Sequence, residues 1–82
     1  MDNKPIQKQK ISIYPNPTDS SFFVTGEFDE AKLSILEISG RKVMEKYITR
    51  GELIDISALN DGLYFVKINL EGENQSFKII KN

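Results

Sequence analysis

Short runs of alternating apolar and polar residues, separated by turn-forming residues about every 8 to 12 positions, constrain this chain more than any other feature. In residues 63–70, every second side chain from Tyr64 onward is apolar. This period of two belongs to a β-strand with one buried face, because successive side chains of a strand point to opposite sides. The rhythm therefore predicts an all-β fold.

Seven runs are predicted as strands, at residues 11–14, 21–25, 31–38, 41–48, 53–57, 63–70 and 76–81. Residues 31–46 also contain good helix formers, but Ser39 and Gly40 in their middle argue against a helix. The apolar phase slips near Leu36, which either a β-bulge or a change of covering sheet would explain. Seven short antiparallel strands in a chain of 82 residues predict an immunoglobulin-like sandwich.

The domain is expected to span residues 11–82, preceded by a polar linker or disordered lead-in at residues 1–10. Four side chains are predicted to face the core: Phe22, Val24, Ile54 and Ile56. Three are predicted to face outward: Phe23, Leu63 and Phe65.

The spacing of Asn60, Gly62 and Tyr64 fits a tyrosine corner, in which a tyrosine hydroxyl binds backbone a few residues upstream. The same spacing fits a tyrosine that is simply a core aromatic. Both interpretations stay open at this point.

Cysteine and histidine are both absent, which excludes disulfides, thiolate metal sites and the commonest general base. The acidic residues fall mostly in turns, where solvated carboxylates are ordinary, and a thin sandwich offers no obvious cleft. The oxygen-rich segments 26–30 and 71–74 lack the spacing of a calcium-binding loop. We therefore predict no enzymatic activity, metal, cofactor or small-molecule substrate.

Charge is balanced, with 11 basic and 12 acidic residues spread along the chain. Nucleic-acid binding requires a concentrated positive face, so no nucleic-acid partner is expected. Outward aromatic side chains can form a binding platform on a sheet. An immunoglobulin-like module that binds carbohydrate or protein is therefore one candidate function.

Four segments occur in a characteristic order: YPNPT at residues 14–18, GRKV at 40–43, GLYFVKI at 62–68 and FKIIK at 77–81. In this order and spacing they resemble the type A C-terminal sorting domain of the type IX secretion system of Bacteroidetes. The residues that match its motifs are Pro15, Asn16, Pro17, Gly40, Arg41, Gly62, Tyr64, Lys78, Ile79, Ile80 and Lys81.

The resemblance implies a sorting signal at the C-terminus of a cargo protein, which passes through the periplasm and is then secreted or displayed on the cell surface. Its partners would be the outer-membrane translocon and a sortase-like peptidase that removes the domain, leaving the cargo released or attached to lipopolysaccharide. Cleavage is expected within residues 1–10 or upstream of them. The last strand, with Lys78 and Lys81, is expected to be the main recognition element, captured by strand addition at a sheet edge.

Overall fold

The structure is a computed structural model that describes residues 11–82, so the lead-in predicted for residues 1–10 lies outside the described residues. The strands are β1 (Ile11–Tyr14), β2 (Ser21–Gly26), β3 (Glu30–Glu37), β4 (Lys42–Thr49), β5 (Leu53–Asp55), β6 (Gly62–Leu70) and β7 (Glu73–Lys81). Within residues 11–82 there is no helix, and hence none that could cross a membrane.

The strands form two antiparallel sheets, one of three strands in the order β1-β2-β5 and one of four in the order β4-β3-β6-β7. The predicted all-β sandwich of seven antiparallel strands is confirmed. In a constant-type immunoglobulin domain the fourth strand joins the first sheet. Here a tight turn holds β4 beside β3, because the Glu37 amide donates to the Arg41 carbonyl at 2.8 Å and the Gly40 amide to the Glu37 carbonyl at 2.8 Å.

Apolar side chains from both sheets fill the space between them. Phe22, Val24 and Ile54 from the three-stranded sheet are fully buried, as are Leu33 and Ile35 from the four-stranded sheet. All four predicted core positions are confirmed, since Ile56 is buried as well. The pairing of β3 with β4 shifts between Ile35 and Leu36, as a bulge requires, but the extra residue is Val43 of β4, and β3 pairs with β6 without a shift.

Two strand ends differ from the prediction by more than one residue, and the local backbone structure explains both. β5 stops at Asp55 because its carboxylate turns back to accept the Ser57 amide at 2.9 Å. β7 starts at Glu73, earlier than predicted, because Glu71 and Gly72 alone form the turn from β6. Both have positive φ, 52° and 86°, as expected for a two-residue hairpin turn.

Candidate functional site

The antiparallel topology brings all four sequence motifs to one end of the four-stranded sheet. β3 ends where β4 begins, across the turn that contains Gly40 and Arg41. β6 begins at this end and β7 finishes there, with Gly62 paired to Lys81. We call this region the motif end and define it as residues 15–18, 38–41, 60–64 and 78–82.

The side chain of Asn16 binds the backbone at the unpaired edge of β7. Its Nδ2 donates to the Lys78 carbonyl at 2.8 Å, and its Oδ1 accepts the Ile80 amide at 3.0 Å. A carboxamide has one donor and one acceptor group, so it satisfies the two backbone groups that a neighbouring strand would otherwise bind. The flanking Pro15 and Pro17 follow cis peptide bonds and are exposed.

Thr18 continues this contact through its backbone. The Thr18 amide donates to the Ile80 carbonyl at 2.9 Å, and its carbonyl accepts the Asn82 amide at 2.9 Å, which forms a parallel bridge. The Thr18 hydroxyl is buried and exchanges hydrogen bonds with the backbone of Ser21. Asn16 and Thr18 together form what we call the edge clasp, and a strand pairing with β7 at residues 78–82 would have to displace it.

Gly62 and Tyr64 stand where the chain enters β6. The Tyr64 hydroxyl donates to the Asn60 carbonyl at 2.6 Å, and its ring is buried in the core. The tyrosine corner is thereby confirmed. It fixes the turn before β6 against the strand that pairs with both β3 and β7.

The turn between β3 and β4 contains Gly40 and Arg41. Gly40 has φ of +94° and nothing within 4 Å of an added Cβ, so its left-handed conformation, not crowding, favours glycine. The Arg41 guanidinium binds both carboxylate oxygens of Glu37, at 2.7 and 3.2 Å. These hydrogen bonds lower the pKa of Glu37 and raise the pKa of Arg41, but because both groups are solvated they add little stability.

The last strand divides the predicted recognition residues between its two faces. Ile79 and Lys81 point into the sandwich, where Ile79 is fully buried and Lys81 is 8% exposed. Lys78 and Ile80 point outward and are exposed. Lys78 and Lys81 are expected to act together in recognition, but their side chains are not equally accessible. Only Lys78 is exposed to solvent.

The sequence alone predicts no role for two residues of the motif end, Thr18 and Asp61. Thr18 lies within the YPNPT motif, and its burial follows from its hydrogen bonds with Ser21 and its bridge to β7. Asp61 holds the ammonium of buried Lys81 at 3.2 Å. The alternation that places Ile79 inward also places Lys81 inward. Because a buried lysine needs a nearby counter-ion, this alternation was the signal in the sequence that an acidic residue such as Asp61 lies close to Lys81.

In a comparison with known protein families, residues 12–82 match the family described as the secretion system C-terminal sorting domain. The match spans the edge clasp, the tyrosine corner and the last strand. No curated protein matches the sequence. This family consists of sorting signals and is not a family of enzymes. From the order of its motifs and the match along almost its whole length, the chain belongs to the family of type IX secretion C-terminal sorting domains.

Proposed function

We propose that the outer-membrane translocon of the type IX system recognises the motif end of this domain while the attached cargo is in the periplasm. Family membership supports a role as a type IX sorting signal. The observation that carries the finer proposal is the convergence of four motifs, separated along the chain, on one end of one sheet. Residues as distant as Asn16 and Lys78, 62 positions apart, are in direct contact there.

The contacts suggest a division of roles among the motif residues. Asn16, Tyr64 and Lys81 engage other parts of the domain and hold the motif end together. Lys78 and Ile80 have exposed side chains on the opposite face of the same strand. Recognition by the translocon would therefore depend on the outward side chains of β7, with the others maintaining their geometry.

The second part of the proposal concerns the fate of the domain after export. A sortase-like peptidase would remove it by cleavage within residues 1–10 or upstream, leaving the cargo released or attached to lipopolysaccharide. The first strand begins at Ile11 and pairs with β2 from that residue onward. A cut before Ile11 therefore breaks none of the strands described within residues 11–82, which supports cleavage of the domain in its folded state.

The test is a fusion of the whole chain to the end of a periplasm-directed fluorescent reporter. The reporter should reach the medium or the cell surface in a bacterium with a type IX translocon, and remain in the periplasm of a matched strain that lacks it. Retention in both strains would refute the proposed role. The mass of the exported reporter tests cleavage separately, since removal of the domain shortens it by most of 9.4 kDa.

A further inference from the structure

The outer face of the four-stranded sheet carries a cluster of apolar side chains at the motif end. Strand register places Leu36 of β3 beside Phe65 of β6, and Leu63 of β6 beside Ile80 of β7. Ile38, just beyond β3, lines the same surface depression as Leu63. We call these five residues the outer apolar patch.

The patch lies on the side of the sheet that faces away from the core. Its residues are absent from the core cluster and from the partly buried side chains packed against it. Ile38 is 70% exposed and Ile80 is 44% exposed, while Leu36, Leu63 and Phe65 are half-buried among their neighbours. A contiguous exposed apolar patch on a small domain marks an interaction site, whereas scattered single residues do not.

The charge of this face differs from that of the whole chain. Register places four lysines and two glutamates on it: Glu30, Lys32, Lys42, Glu45, Lys67 and Lys78. The face is therefore net positive, although the chain as a whole has a net charge of −1.

The two lysines of this face that form no ion pair within residues 11–82, Lys67 and Lys78, border the outer apolar patch. Glu45 already binds Lys32 at 2.6 Å and Lys42 at 2.9 Å. Lys67 and Lys78 form no ion pair within residues 11–82, and both adjoin Phe65, one along β6 and the other across the pair with β7. A partner with apolar side chains bordered by carboxylates would complement this surface.

We propose that the outer apolar patch, with Lys67 and Lys78 at its border, is the docking surface for a component of the secretion machinery that presents an apolar surface flanked by carboxylates. This inference rests on the proposed function and specifies its contact surface. The edge clasp supports side-chain docking over strand addition, since it already occupies the backbone edge of β7 at residues 78–82. A second copy fits poorly, because two-fold pairing would bring the same lysines together.

The other face of the sandwich provides a matched control. Register places Tyr14, Phe23 and Leu53 in one row across the three-stranded sheet, with the rings of Tyr14 and Phe23 5.5 Å apart. Leu53 is 51% exposed, close to the value for Ile80. No lysine or arginine lies on the strands of this sheet.

The experiment compares Ile80→Glu, Lys78→Glu and the control Leu53→Glu in the reporter fusion, all in the full chain. The exported fraction should fall at least about fivefold for the first two variants, since each sets a carboxylate against an acidic border. The control should export within about twofold of the parent, because a substitution at an exposed position away from the contact has little effect. Circular dichroism and thermal unfolding of each purified variant verify that it is folded.

The outcomes separate this inference from the proposed function. If the parent domain does not direct export of the reporter, the proposed function is refuted, whatever the variants show. If the parent is exported and Lys78→Glu and Ile80→Glu are exported equally well, or if Leu53→Glu is impaired to the same degree, the docking surface is wrong. Should Ile80→Glu fail to fold, Lys78→Glu decides the matter, since its exposed side chain contributes nothing to the core. A parent dimer that Ile80→Glu dissociates, measured by sedimentation at about 100 μM, would assign the patch to self-association instead.

Discussion

Replacing Asn16 by alanine tests whether the edge clasp stabilises the domain. The substitution removes both side-chain hydrogen bonds to β7, to the Lys78 carbonyl and from the Ile80 amide. A typical net hydrogen bond contributes about 0.5–1.5 kcal/mol. Because this site is exposed, water can bind the released backbone groups, so we expect the two bonds together to contribute about 1–2 kcal/mol. For a domain of this size that corresponds to a fall in Tm of about 4–16 °C.

Urea unfolding followed by far-ultraviolet circular dichroism measures the loss of free energy, and amide hydrogen exchange locates it. The Ile80 amide should exchange faster in Asn16→Ala, since it loses its acceptor. The control is Asn74→Ala, which removes an exposed side-chain hydrogen bond from Asn69 at 3.0 Å and should change stability by less than about 0.5 kcal/mol. Asn16→Asp keeps an acceptor but sets a carboxylate against the Lys78 carbonyl, so it should be no more stable than the alanine variant.

The reasoning would be refuted by a particular pair of results. If Asn16→Ala lowers the free energy of unfolding by less than about 0.5 kcal/mol, and the Ile80 amide exchanges as slowly as in the parent, the clasp does not hold the strand edge. In that case only Thr18 would occupy the edge of β7, and recognition by strand addition at the part of the edge that Asn16 binds would again be the better explanation.

Three further predictions concern the rest of the domain. Tyr64→Phe should cost about 0.5–1.5 kcal/mol in the free energy of unfolding, because it removes the hydrogen bond to Asn60; an unchanged urea midpoint would show that the tyrosine corner is dispensable. Ile79→Val should cost about 0.5–1.5 kcal/mol because Ile79 is fully buried, and equal effects in the exposed control Ile80→Val would contradict the assigned faces of β7. Hydrogen bonds from two lysines lower the pKa of Glu45, so its stabilising effect exists above the ordinary glutamate pKa of about 4.3 and is lost as the pH falls through the lower folded value. The Tm of Glu45→Gln should thus lie below that of the parent at pH 7 and converge with it near pH 2, and a gap that stays constant with pH would count against the ion pairs.

The strands and their faces could be predicted from the sequence because a period of two is a local property. Residues 63–70 alternate so regularly that their buried face could be assigned from the sequence, and β6 has that face. The turn at Gly40 predicted the hairpin of β3 and β4 for the same reason, since its signal lies within a few residues.

The contacts of the motif end could not be derived from local patterns. Asn16 binds residues more than 60 positions away, and nothing near Asn16 in the sequence identifies that partner. The ion pair between Asp61 and Lys81 likewise depends on how β6 aligns with β7. Resemblance to a family identified Asn16 and the residues of the last strand as a group, but the division of that strand into buried and exposed side chains required the structure.

The contact between residues 16–18 and residues 78–82 makes the domain sensitive to the completeness of its own synthesis. Among the described strands, β7 is the last to leave the ribosome. A product truncated before residue 78 lacks the backbone groups that Asn16 binds, loses Ile79 from the core and leaves residues 62–65 of β6 without their partners in β7. Such a fragment would neither fold fully nor display Lys78 and Ile80, so under the proposed function an incomplete cargo would lack the recognised surface and would not be exported.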